Sequence, residues 1–171
     1  MNTIISSKLA AAAVGVVAAS LVSASAFAAD ATGSASAVVA APIAITAGTA
    51  MTFGNVAVGA AGGTAVLTTA DALTVTGDVS ALSGVTPASG AFNVTGEGTS
   101  AYSVTLPTTI SLTGPGTAMT ISTIGHSAGA SPALLAGASS FKIGGTLTVG
   151  AAQAPGTYSS AGGFTVTVNY Q

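Results

Sequence analysis

Acid–base, nucleophilic and metal chemistry would have to be drawn from very few side chains. His126 is the only histidine, Asp30, Asp71, Asp78 and Glu97 are the only acids, Lys8 and Lys142 the only bases, and cysteine is absent from the 171 residues. Ser127 and Ser131 lie near His126, but a triad needs a carboxylate to orient the imidazole, and Asp71, Asp78 and Glu97 stand in unrelated turns. His126 therefore reads as an exposed loop residue. Zinc would need a cluster of His, Cys, Asp and Glu ligands, and the sequence has none. Calcium can also draw on backbone carbonyls, and Asp71 and Asp78 flank a predicted strand; solvated turn residues are the expectation, with weak calcium binding left open. The run GAAGGT, residues 59–64, lacks the lysine and the following helix of a phosphate cradle and predicts a β-turn. Lys142, beside Phe141, predicts a gatekeeper on a sheet edge. This inventory predicts no enzyme and no cofactor.

The abundant feature is alternation. AVLTT, ALTVT, AFNVT, YSVTL, ISLT, AMTIST, TLTV and FTVTV each place aliphatic or aromatic residues at every second position, and no stretch beyond the first 28 residues has helical periodicity. Breakers separate them at Gly62-Gly63, Thr86-Pro87, Gly114-Pro115-Gly116, Gly144-Gly145, Pro155-Gly156 and Gly162-Gly163. Short antiparallel strands with such turns predict an all-β sandwich or small barrel. Residues 126–140 are the least strand-like and predict a loop or a short helical turn around Leu134 and Leu135. Tyr102, Tyr158, Tyr170, Phe53, Phe92, Phe141 and Phe164 could make a sugar-binding platform, but in so small a sandwich they are expected in the core. A transmembrane barrel fits poorly: its strands need about ten residues and its interfaces aromatic girdles, whereas these runs are short and aromatics few.

Residues 1–28 read as a secretory signal, with Lys8 at the charged start, LAAAAVGVVAASLV as the apolar core and Ala26-Phe27-Ala28 as the cleavage site. That core is shorter than the roughly 20 residues of a membrane span. The expectation is an exported chain, residues 29–171, forming one domain located in the periplasm, on the cell surface or in an extracellular fibre. Lys142 against four acids leaves this part a net charge of about −3, and without Arg it cannot form a phosphate-binding groove, so nucleic acid is excluded as a partner. Without cysteine, stability must come from burial and strand pairing alone.

Both ends of this part carry an alternating run. The last, FTVTVNYQ, puts Phe164, Val166, Val168 and Tyr170 on one face at the very end of the sequence and therefore needs a partner strand. The first, ASAVVAAPIAI, puts Ala35, Ala37, Val39, Ala41, Ile43 and Ile45 on one face.

Three segments, VVAAPIAITAGTAMTFGNVAVG, FNVTGEGTSAYSVTLP and GGTLTVGAAQAPGTYSSAGGFTVTVNYQ, closely resemble the bacterial secreted family called domain of unknown function 4402. More distantly they are similar to chaperone–usher pilins of the archaic, spore-coat U type: a strand leading to Met51-Thr52-Phe53-Gly54, a hairpin around Gly98 to Tyr102, Pro155-Gly156-Thr157-Tyr158 before the closing hairpin, and Tyr170 next to last. Where many pilins carry a disulfide, this sequence has Pro42-Ile43 and Thr95-Gly96. The pilin likeness implies an immunoglobulin-like sandwich lacking its last strand and completed by the N-terminal extension of the next subunit. It further implies a fimbria-like fibre, self-association through terminal strands, and a periplasmic chaperone and usher as partners. Residues 29–38 would then be the donor strand, with Ala35 and Ala37 as its anchors, Val39 just beyond it as a further assembly residue, and Phe164, Val166, Val168 and Tyr170 as the acceptor wall. Ala buries much less apolar area than Val or Leu, so both anchors are weak. The same segment could equally be the first strand of its own domain, since a strand added in cis or in trans satisfies the same pairing. The runner-up function is a self-complete secreted or surface module that binds a ligand such as a glycan through its loops.

Overall fold

The computed structural model describes residues 28–171, and the chain divides between Ala37 and Val38. The predicted signal lies outside the described residues, apart from Ala28. Residues 28–37 are exposed coil, and Val38–Gln171 form a compact unit. That unit is all-β and antiparallel, of the sandwich type, with no helix among the described residues.

Its strands are β1 (Ala44–Ala47), β2 (Asn55–Leu67), β3 (Leu73–Leu82), β4 (Gly90–Thr95), β5 (Tyr102–Thr105), β6 (Ile110–Leu112), β7 (Met119–His126), β8 (Ala138–Val149) and β9 (Thr167–Tyr170). At 12 residues β8 is the organiser. At Ile143 it is flanked by both Gly90 of β4 and His126 of β7, and at Thr146 to Thr148 by both β2 and β7. A strand has only two edges, so β4 and β2 follow one another along one edge while β7, then β6, occupy the other.

The period-two pattern does what it predicts. Phe141, Ile143, Leu147 and Val149 of β8 and Ala65 and Leu67 of β2 are buried, and the alternate positions face outward. Across five strands those outward positions bring Ser111, Thr120, Thr148, Thr64 and Thr76 into one row, where the Thr64 and Thr76 hydroxyls meet at 2.6 Å. The threonine-rich composition is thus the solvent face of the same strands whose valines and leucines make the core.

Several local expectations are corrected. Gly59–Thr64 is not a turn between strands; it lies inside β2, where residues 59 to 62 bulge out between the Val58–Val79 and Gly63–Gly77 pairs. Asp78 stands opposite that bulge within β3 and takes the Ala61 N–H at 3.2 Å, while Gly62 and Gly77 supply the positive φ angles, 73° and 72°, that the detour requires. Gly144-Gly145 does not break β8 either. Both residues are buried, and a side chain on Gly144 would run into the main chain of Leu67 and Thr68, so glycine here permits close approach inside one continuous strand. Three strands are consequently long, with 13, 10 and 12 residues in β2, β3 and β8, where the sequence predicted short ones.

The core has two centres. One gathers Phe53, Ala65, Leu67, Val79, Ile110, Met119, Ile121, Leu147 and Val149; the other Val94, Tyr102, Leu134, Phe141, Ile143, Val166 and Val168. Phe164 packs against both. The aromatics are core residues as expected, with Phe53, Tyr102 and Phe141 buried and Phe92 stacked on Phe141 at 5.6 Å.

Candidate functional site

The residues singled out for chemistry do not assemble into a catalytic group. His126 is corrected from an exposed loop position to the half-buried last residue of β7, set edge-on to Phe141 at 5.9 Å, and its Nδ1 has no hydrogen-bond partner. Lys142 is corrected from an edge gatekeeper to a member of the central strand β8, where its ammonium pairs with Asp71 at 2.5 Å. Asp71 turns out to be more than a solvated turn residue. Held at φ 64°, it accepts from the Ser89 hydroxyl at 2.6 Å and the Ser89 N–H at 2.8 Å, so one carboxylate ties the β2–β3 turn to the start of β4 and to β8. Its partners, Lys142 first and Ser89 next, hold its carboxyl well below the usual carboxylate range. Among the described residues no group of three His, Cys, Asp or Glu could hold a metal ion.

The features that stand open are edges. Closing strand β9 pairs with β5 in the register Tyr102–Tyr170, Val104–Val168. The Gln171 N–H bonds to the Ala101 carbonyl at 3.1 Å, so residues 167, 169 and 171 spend their main-chain groups on β5. The main-chain groups of Val168 and Tyr170 point the other way, and among the described residues β9 has no second partner strand. The Thr113–Ser159 bridge falls in the same register, so residues 159–171 run antiparallel to 101–113 as a zipper held at both ends and parted between. Alternation is as the sequence predicts: Val166 and Val168 are buried, Phe164 and Tyr170 half-buried, and Thr165, Thr167 and Asn169 exposed.

Toward the N-terminal end of the described chain the first alternating run becomes a strand only at Ala44. Ala35 and Ala37 are exposed, and Val38 and Val39 are 95% and 93% exposed, so the segment forms no ladder among the described residues. Its base is fixed. The Tyr170 hydroxyl donates to the Ala41 carbonyl at 2.8 Å and accepts the Glu97 N–H at 2.6 Å, while the Glu97 carboxylate accepts the Ala41 N–H at 3.0 Å. This clasp sits beside the Ala44–Thr95 pair, next to the Pro42-Ile43 and Thr95-Gly96 neighbourhoods. Gly96 leaves the space that the Tyr170 ring end fills.

A second opening was not foreseen from the sequence. A cleft of about 880 Å³ lies over the first core centre, walled by Met51 to Val58 on one side and Gln153 to Ser160 on the other, with Met119, Ile121 and Leu147 as its floor. Along Asn55 to Val58, β2 is paired with β3 on one edge and, among the described residues, with no strand on the other, because its pairing with β8 begins only at Gly63. No charged residue lines the cleft. The signal that could have located it is the Pro155-Gly156 and Gly162-Gly163 pairs, which stop the closing segment from being a strand along its whole length.

These features define a class: an antiparallel all-β domain with strand edges left unpaired beside its core. The chain belongs to the family described as Domain of unknown function (DUF4402), whose model matches residues 43–170. No curated protein and no solved structure matches it. No helix among the described residues is long and apolar enough to cross a membrane.

Proposed function

We propose that this protein is an exported, non-enzymatic structural subunit of the bacterial cell surface that associates with copies of itself by strand complementation into a pilus-like fibre. One observation carries the reading: an exposed extension, charged only at Asp30 and forming no ladder among the described residues, belongs to a domain whose β9 is paired among them on a single edge. Main-chain hydrogen bonds across such an edge supply affinity without requiring charged side chains, which are few in this chain. The distant likeness to archaic pilins supports the same reading, and with it a periplasmic chaperone and usher as assembly partners.

Deleting residues 29–38 tests it. The shortened protein is expected to melt at the temperature of the full-length monomer and to form no multimers. The full-length protein gives ladders on unboiled gels, because strand-exchanged contacts dissociate slowly. A full-length protein that stays monomeric at high concentration, alone and with its cognate assembly factors, overturns the reading.

A further inference from the structure

We infer that the cleft between Met51–Val58 and Gln153–Ser160 is the seat into which the extension of a second copy, residues 34–40, docks as an added strand on the open edge of β2. This rests on the fibre reading and specifies which of two unpaired edges the partner uses.

Three properties of the cleft select an extended peptide. Its floor residues Met119, Ile121 and Leu147 are already buried, but its walls carry partly open apolar side chains, Val56, Val58, Leu82 and Val85, which an occupant with apolar groups on one face would cover. Along Asn55–Val58 the main chain lacks ladder partners on the cleft side, and only another main chain supplies N–H and C=O groups at the matching spacing; an acyl chain or a sugar does not. The alternation of β2 agrees: Val56 and Val58 are partly buried beside the first core centre, while Asn55 and Ala57 are exposed.

Three properties of the extension match. Residues 31–41 carry no charge, as the cleft lining carries none, so docking strands no unpaired ion away from water. Val38 and Val39 are the largest side chains of this stretch and are almost wholly exposed. Residues 29–40 lie outside the clasp at Ala41 and span about 40 Å when extended, at roughly 3.3 Å per residue, several times the length of the four-residue open edge. If Ala35, Ala37 and Val39 face the floor, then Ser36 and Val38 lie on the outer side, level with Ala57.

The absence of cysteine makes the test clean. Donor variants Ser36→Cys and Val38→Cys are mixed, under mild oxidation, with acceptor variants Ala57→Cys at the cleft or Asn169→Cys on β9, each acceptor checked for a native circular dichroism spectrum. Disulfide-linked heterodimers with Ala57→Cys, at least tenfold more abundant than with Asn169→Cys, are expected. Preferential linkage to Asn169→Cys moves the seat to the β9 edge and overturns this inference while leaving the fibre reading intact. Linkage to neither position, from either donor, counts against both. In the double variant Val38→Cys/Ala57→Cys at high dilution, a linked monomer would mean that the chain's own extension fills the cleft, which also overturns the inference.

Discussion

Around Val94, Tyr102 and Phe141 the closing segment lies down on the core: Val166 and Val168 are buried beneath it and its alternate residues bond to β5. Around Met119, Ile121 and Leu147 the preceding part of the same segment stands off as one wall of the cleft; the core residues there stay buried, and the apolar area left open lies at Leu82 and Val85. The local reason is backbone. Pro155 has no N–H to give a ladder, and Gly156, Gly162 and Gly163 take φ values of 147°, 79° and 76° that no strand sustains. Tyr158 then anchors the loop, its hydroxyl donating to the Ala154 carbonyl at 2.8 Å and accepting the Gly116 N–H at 2.9 Å. A strand provides both side-chain cover and main-chain pairing, so where it is lost apolar area is left open and an edge is freed together.

If one core centre is shut by the closing segment and the other is bordered by an open cleft, truncations should separate them. The largest effect is expected for Ile143→Ala, in the shut centre and fully buried, at about 2–5 kcal/mol lost in urea unfolding. Tyr170→Phe removes two hydrogen bonds of the clasp and should cost about 1 kcal/mol. It should also speed hydrogen exchange at the Ala41 and Glu97 amides far more than in β8; uniform acceleration would mean that the clasp is not a local device. On the cleft rim, Val85→Ala should change stability by no more than about 0.5 kcal/mol. A loss there as large as that of Ile143→Ala would show the cleft to be closed in solution and would break the comparison.

The smallest effect concerns Asp71. Its carboxyl is held below the ordinary range when folded, so its contribution to stability is complete above the unfolded value near pH 4 and fades as pH falls further. Asp71→Asn should therefore narrow the difference between stability at pH 7 and at pH 2. With both side chains of the pair about 40% exposed or more, the effect at neutral pH is small. An unchanged acid-unfolding profile would remove the pair from the account.

The all-β class was legible because alternation is local: FTVTV can bury one face only as a strand, and Val166 and Val168 are buried as written. The closing strand's need for a partner was legible for the same reason, and β5 meets it. What local pattern could not show was the neighbour on the next strand. Lys142 reads as an edge residue until Asp71, 71 positions away, is placed beside it. Gly144-Gly145 reads as a break until the backbone of Leu67 is seen crossing close over it.

By itself the sequence determined the strand class and the apolar and hydroxyl faces, because each follows from residue type and a period of two. Tertiary structure decided which edges are paired, that β8 serves β4 and β2 along one side and β7 along the other, and that one core centre is covered by the closing segment while the other borders a cleft. Pairing depends on hydrogen bonds between residues far apart in the chain, and no local period encodes which distant main chain fills an edge.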